Sequence, residues 1–408
     1  MTQVHDVAKT VSPQASSMPE LSTLRGWLGV CAVAAGTFTV VTAEMLPVGL
    51  LTPISAALRV TEGTAGLALT VTGLVAAVAA PLLTSGFGRF DRRWVVCALL
   101  AVLVLGNLAA AWSPVFAVLV VGRVLVGIGM GGVWAMAAAV AVRLVPPESA
   151  GTATSVVFSG VAIASVLGIP AGTFLGALAG WRIAFVAAGL LALLVLLMLA
   201  ALLPNLPADR AVSLHGVLRL SGNPRVRTGL FIVAFLVTGH FAAYTYIRPI
   251  LEDLAHAHPA MIGALLLIYG IAGILGNFVA GNYVVRAPRG TLLIISAVLS
   301  ASVLALLAIS GSLIVAALLM VVWGLAYGGV SVSSLTWFVA SAPSHREAAS
   351  ALLTTVFNAA IAFGALLGGL LADRLGITAV LWLGGALAGA ALLITAFGRA
   401  PKAPRAIA

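Results

Sequence analysis

Two stretches place a charge where the neighbours are apolar or small. VVTAEMLPVGL, residues 40–50, carries Glu44, and GRVLVGIGMGG, residues 122–132, carries Arg123. A carboxylate in such surroundings is able to take up and release a proton, because desolvation favours its neutral form while a nearby guanidinium favours its charged form. Arginine does not titrate in proteins, so Arg123 is a charge partner, a structural tie or a gating latch and not a proton carrier. The chemistry in prospect is reversible protonation inside an apolar medium.

The medium follows from composition. With 62% hydrophobic residues, 8% charged residues and a mean hydropathy of +1.18, the chain is far more apolar than a soluble core requires. This is an integral membrane protein. A bilayer core about 30 Å thick needs about 20 mostly apolar residues per helix. Twelve such segments are found, over approximately 25–50, 62–86, 94–112, 114–142, 149–178, 181–203, 228–251, 259–285, 291–309, 311–340, 346–372 and 376–398. Turn signals such as Trp112-Ser113-Pro114 and Val145-Pro146-Pro147 separate them. The expected fold is all-α and polytopic, with two six-helix bundles. An N-terminal tail (1–24) precedes the first bundle (25–203), a basic linker (204–227) joins it to the second (228–398), and a short tail (399–408) follows. Within the linker, SLHGVLRL (213–220) suits either a short interfacial helix or plain loop.

Lys and Arg collect on the cytoplasmic side of membrane proteins. With the N-terminus inside, only Arg59, Arg182, Arg248 and Arg374 of the 21 basic residues fall outside, and Arg123 lies within a span. Both termini are therefore expected in the cytoplasm. The same bias accounts for the net charge of +10 through contact with anionic lipid, and no nucleic-acid partner is implied. The polar first 20 residues and the long first apolar run do not read as a cleavable signal. Cys31 and Cys97 both fall in spans and imply no disulfide or metal site. His256 and His258, beside Glu252 and Asp253 in an outer loop, read as solvated polarity in preference to metal ligands.

Of the eleven acidic residues, Glu44 alone is deep in a span. Counting about 1.5 Å per residue, Glu44 and Arg123 lie roughly 10 and 12 Å from the outer boundary, so they are expected to face each other or share a polar cavity. Two readings stand: a static clamp between helices, or the proton site of a coupled transporter.

Longer motifs bear on that choice. GRVLVGIGMGG, with Arg123, Gly127 and Gly129, is similar to the Arg-containing motif of the fourth helix of the major facilitator superfamily. GVAIASVLGIPAGTFLG (160–176) resembles the antiporter motif of the fifth helix through Gly160, Gly168, Pro170, Gly172 and Gly176. Small residues there permit close helix approach, and Pro170 bends the helix, giving a surface on which two bundles can rock. TAEMLPVGLLTPISAAL (42–58), GFGRFDRRWVV (86–96) and TGHFAAYTYIRPIL (238–251) resemble bacterial exporters of sugars, purine ribonucleosides and chloramphenicol-like drugs, in the twelve-helix drug:proton antiporter group. The loop after helix two departs from the family's Asp-Arg-x-Gly-Arg: Gly88 stands where the Asp belongs and Asp91 where the Gly belongs. That puts the usual carboxylate contact to the opposite helix in question, while Arg89, Arg92 and Arg93 keep the loop positive.

The resemblance implies proton-coupled efflux of a small organic solute by a monomer in the cytoplasmic membrane, without an organic or metal cofactor. Glu44 is the expected coupling residue and Arg123 its partner or gate. Candidate solute contacts near the midplane are Trp134 and Met136 (helix four), His240 and Tyr244 (seven), Asn277 (eight), Trp323 and Tyr327 (ten) and Asn358 (eleven). Each aromatic also suits plain packing, and His240 suits a hydrogen bond to a neighbouring helix as well as titration. With Glu44 the one embedded acid, neutral or zwitterionic solutes are favoured over multivalent cations. The alternatives are an uncoupled facilitator of the same fold and a membrane-embedded enzyme; HExxH, GxSxG and paired embedded acids, which the latter needs, are absent from the sequence.

Overall fold

The computed structural model describes residues 23–86, 90–207, 220, 222–308, 311–343 and 345–401. Twelve helices are long and apolar enough to cross a membrane: α1 (Leu24–Leu58), α2 (Glu62–Leu83), α3 (Arg92–Ala111), α4 (Phe116–Val142), α5 (Pro147–Ala179), α6 (Trp181–Leu202), α7 (Pro224–Tyr244), α8 (Pro259–Val284), α9 (Pro288–Ala308), α10 (Leu313–Ser341), α11 (Ala348–Leu375) and α12 (Ile377–Phe397). Short connections make successive helices antiparallel. Lys9, Arg89, Arg210, Arg219 and the SLHGVLRL segment lie outside the described residues, except Leu220.

Three boundaries differ from the sequence expectation. The first helix continues past residue 50 to Leu58, because two prolines inside it bend the helix without ending it. The seventh starts earlier, at Pro224, where Asn223 caps it by accepting from the Arg225 amide. It then stops at Tyr244, and the chain resumes as a short helix, Ile247–Ala255. Arg248, expected at the outer end of the seventh span, and Glu252, expected in the loop after it, are thereby carried on an ordered turn against α1.

Within the first bundle α3 and α4, α2 and α4, and α3 and α6 are the closest pairs; in the second, α7 with α11 and α12 and α8 with α10. Helix association in lipid relies on close backbone approach. In α4, Gly127 and Gly131 face the carbonyls of Thr72 and Ala76 on α2, whereas Gly122 and Gly129 face Gly106 and Leu99 on α3. One run of glycines thus seats two neighbours on two faces.

The bundles meet through α2 with α11, α5 with α8, and α1 with the short helix. The residues that touch lie in the halves remote from the chain termini, here termed distal. Gly63 packs on Gly369 and Asp373, Gly66 on the Tyr246 phenol and Gly73 on Ala362 and the Asn358 carbonyl; on the other side Gly270 packs on Ser165 and Val166. Further toward the termini, Leu74, Val78 and Leu82 of α2, Phe158 of α5, and Phe278 and Val279 of α8 are exposed. The glycine contacts between the bundles lie distally, and these proximal apolar side chains suit a lipid-facing surface.

A Cβ added at Gly122 would stand 2.7 Å from the Gly106 carbonyl oxygen and 2.9 Å from the Ala110 nitrogen, whereas at Gly151 nothing lies within 4 Å. Gly122→Ala is expected to cost about 1–3 kcal/mol by overpacking. The melting temperature of the purified protein in detergent should fall for that variant and hold or rise for Gly151→Ala.

Candidate functional site between the bundles

The site is built on a defect in α1. Pro47 has no backbone N–H, so the carbonyl four residues earlier, Ala43, loses its helical donor. Arg123 reaches across from α4 and supplies one: its Nη1 donates to the Ala43 carbonyl at 2.8 Å, Nη2 to the Glu44 backbone carbonyl at 2.8 Å and Nε to the Ala68 carbonyl of α2 at 3.0 Å. The side chain is fully buried. A planar guanidinium with a fork of donors suits three fixed acceptors; an ammonium does not.

This corrects the expected pairing. Arg123 and Glu44 are neighbours, but the guanidinium binds main-chain oxygens, and no ion pair within 4.0 Å joins it to the Glu44 carboxylate among the described residues. The clamp between helices exists, and Arg123 makes it with carbonyls. Glu44 is 3% exposed, and its Oε1 has no hydrogen-bond partner among the described residues. Its carboxylate stands within electrostatic reach of both Arg123 and Tyr327, one from each bundle.

An aromatic cage stands in the second bundle. His240 of α7 stacks on Tyr327 of α10 with ring centroids 3.4 Å apart and on Tyr244 at 5.0 Å. Its Nδ1 accepts from the indole Nε1 of Trp323 at 3.0 Å, and its Nε2 is 3.5 Å from the Tyr269 hydroxyl. An indole N–H is a donor only, so the nitrogen that accepts it carries no proton. The geometry therefore holds His240 as the neutral imidazole, hydrogen-bonded to a neighbouring helix. Tyr269 stacks on Tyr244 at 4.9 Å and completes the cage. It escaped the sequence reading because LLLIYGIAG reads as ordinary apolar helix. The available signal was its spacing: Gly324 and Gly328 of α10 admit the Tyr269 and Gly273 carbonyls of α8, which lays Tyr269 beside Trp323.

The remaining candidates disperse. Trp134 is half-buried, tilted against Phe158 at 6.3 Å. Met136 is buried near the proximal end, its sulfur 3.7 Å from Nη1 of Arg92, and so stands away from the cage. Asn277 is exposed on α8, two turns proximal to Tyr269. Asn358 is half-buried beside α2, and its amide donates to the Thr354 carbonyl of its own helix.

The glycines of the fifth helix serve α1. Gly160, Gly168, Gly172 and Gly176 face Ala34 and Thr37, Thr42, Leu46 and Leu50 in turn. Their four- and eight-residue spacing puts them on one face, and the contact with the second bundle lies on the adjoining face, where Ser165, Pro170 and Phe174 meet Gly270 and Gly263 of α8. Pro170 withholds its N–H, and the helix answers with a π-turn over Ala164–Gly168 in which the Ile169 amide donates to the Ala164 carbonyl. At the proximal loop, Asp91 caps α3 by accepting from the Arg93 amide and also accepts from the Leu206 amide; Arg92 and Arg93 bind residues of the same bundle, Met136 and the Ala200 carbonyl. Arg89 is outside the described residues.

The sequence matches the Major Facilitator Superfamily over residues 33–345 and 230–408. It is 35% identical over 371 residues, 91% of this chain and 94% of the relative, to the purine ribonucleoside efflux pump NepI of Escherichia coli K12, and equally to that of Shigella flexneri. The chain belongs to the major facilitator superfamily. Crystal structures of a bacterial homologue of the human lysosomal transporter Spinster share the fold: the inward-facing, unoccupied form at a TM-score of 0.72 and 16% identity over 92% of this chain and 98% of that one, the inward-facing, occupied form at 0.74 and 16% over 92% and 97%. As a member of this superfamily the protein is a transporter and not an enzyme, and it is a multi-pass protein of the inner membrane. The cage belongs to the second bundle and Glu44 to the first.

Arg123→Lys keeps the charge and loses the fork, leaving buried carbonyls short of donors at about 1–3 kcal/mol each. A drop in melting temperature, or loss of the monodisperse peak in detergent, is expected for Arg123→Lys. Glu44→Gln should keep both, since no described bond to the carboxylate is lost.

Proposed function

We propose that the protein exports a purine-ribonucleoside-class solute from the cytoplasm in exchange for protons, working as a monomer. The observation that carries this reading is the Glu44 carboxylate, buried in the first bundle without a described hydrogen-bond partner. A purine base is a flat π-system able to stack on Tyr244, Tyr269 and Tyr327, and its ring nitrogens and ribose hydroxyls can pair with phenol hydroxyls and with Glu44. The proteins similar to this chain over nine-tenths of its length are named as pumps for that solute class.

On the Lys and Arg bias the termini lie inside, so the distal end faces outward and the proximal end faces the cytoplasm. Glu44, His240, Tyr244, Tyr269 and Trp323 are buried, so cytoplasmic solute reaches them only as the proximal halves of the bundles part. A ribose hydroxyl that donates to the Glu44 carboxylate favours its charged form, and the proton leaves toward the cytoplasm. After rocking, Glu44 takes a proton from outside as the solute departs. Arg123 stays bound to main-chain oxygens throughout, which leaves the carboxylate free to exchange protons instead of locking it in an ion pair.

Solute-induced proton release from purified protein in weakly buffered detergent tests this directly. Inosine, adenosine and guanosine are expected to release protons, whereas pyrimidine nucleosides, pentoses and phenicols release few or none. Glu44→Gln should bind purine nucleosides without release. Tyr269→Leu should lower their affinity about 10-fold or more, the scale of one lost stacking contact of roughly 1–3 kcal/mol. Equal binding to native protein and Glu44→Gln with no proton movement in either makes the protein a facilitator and Glu44 a structural residue.

A further inference from the structure

A second proline of α1 creates a second unmatched acceptor, and this one lies at the seam between the bundles. Pro53 cannot donate to the Gly49 carbonyl. The donor comes from the opposite bundle: Arg248, on the short helix Ile247–Ala255, gives Nη1–H to the Gly49 oxygen at 2.7 Å. Its Nε is paired with Glu252 Oε1 at 2.9 Å, and Glu252 Oε2 accepts from the Thr52 hydroxyl of α1 at 2.6 Å. Arg248 is 5% exposed. Two bonds therefore cross the distal seam, and both meet α1 within one turn of Pro53.

We propose that Arg248, docked on the carbonyl that Pro53 frees and buttressed by Glu252 and Thr52, is the latch that holds the distal gate closed. Parting the distal halves must pull Arg248 off Gly49 and Glu252 off Thr52, leaving an acceptor, a hydroxyl and an ion pair to be solvated together. That is affordable only when water enters the seam, so the latch resists partial opening and yields to full opening. A second point of closure supports it: Asp373 at the end of α11 accepts from the Gly63 amide and the Thr61 hydroxyl, capping the first turn of α2 from across the seam. This inference concerns the gate and does not rest on the choice of solute.

Spin labels at Val115 and Ile314, exposed at the distal ends of α4 and α10, report the seam from outside the latch. Cys31 and Cys97 are first replaced by alanine, and the distance distribution is read by pulsed electron paramagnetic resonance. Arg248→Ala is expected to raise the ratio of long to short distances at least about 10-fold, the scale of a lost charge-assisted bond. Pro53→Ala returns a helical donor to Gly49 and should move the ratio the same way by less. Gly63→Ala, whose added Cβ would meet the Gly369 carbonyl and the Asp373 carboxyl, is a wedge that opens the seam by packing alone. A parental ratio in Arg248→Ala alongside a raised ratio in Gly63→Ala overturns the latch. Should Arg248→Ala fail to fold, Thr52→Val removes the donor to Glu252 only; a raised ratio supports the latch, and an unchanged one overturns it.

Discussion

In an apolar interior a backbone carbonyl without a donor costs too much to persist, and α1 contains two prolines that each remove one. Much of the arrangement around the transport path answers that constraint. Pro47 frees the Ala43 oxygen, which Arg123 satisfies from within the first bundle; Pro53 frees the Gly49 oxygen, which Arg248 satisfies from the second. A helix that sealed all its own carbonyls would offer neither arginine a place to bind. The same irregularity that weakens α1 as a helix thus makes it the element on which both bundles register.

The first of these contacts separates two roles that a buried acid and base commonly share. Arg123 spends its donors on three main-chain oxygens and ties α4 to α1 and α2, a permanent structural duty. Glu44 is left with a buried carboxylate that is out of an ion pair and without a described hydrogen-bond partner. Under the proposed coupling, that freedom matters: a carboxylate locked to guanidinium would hold its charge throughout the cycle, whereas a desolvated one with a distant counter-charge can exchange it.

The bundles contribute unequally. The first brings the charge, and the second brings rings whose positions depend on glycines in α10 that let α8 approach. Within the cage the Trp323 indole decides the protonation of His240 by occupying its acceptor nitrogen, so an imidazole that might have served as an acid is a fixed, neutral stacking surface.

The number of helices, the two-bundle plan and the burial of Glu44 and Arg123 were legible in the sequence, because apolar run length and the scarcity of charge inside such runs are properties of the chain in any membrane. The family was legible too, since glycine and proline spacing along a helix is set by local geometry. What the sequence left undecided was partnership. It placed Glu44 and Arg123 at similar depth but not the guanidinium on carbonyls, since that depends on which acceptors Pro47 exposes and how near α4 approaches. It set His240 among candidates and passed over Tyr269, because which rings meet across α7, α8 and α10 is determined by helix rotation and crossing. It set Arg248 at the outer end of the seventh span without a partner, whereas the fold buries it against a carbonyl 199 residues away in the chain. Composition and period act along one helix, and contacts between helices are fixed only once packing selects a face for each.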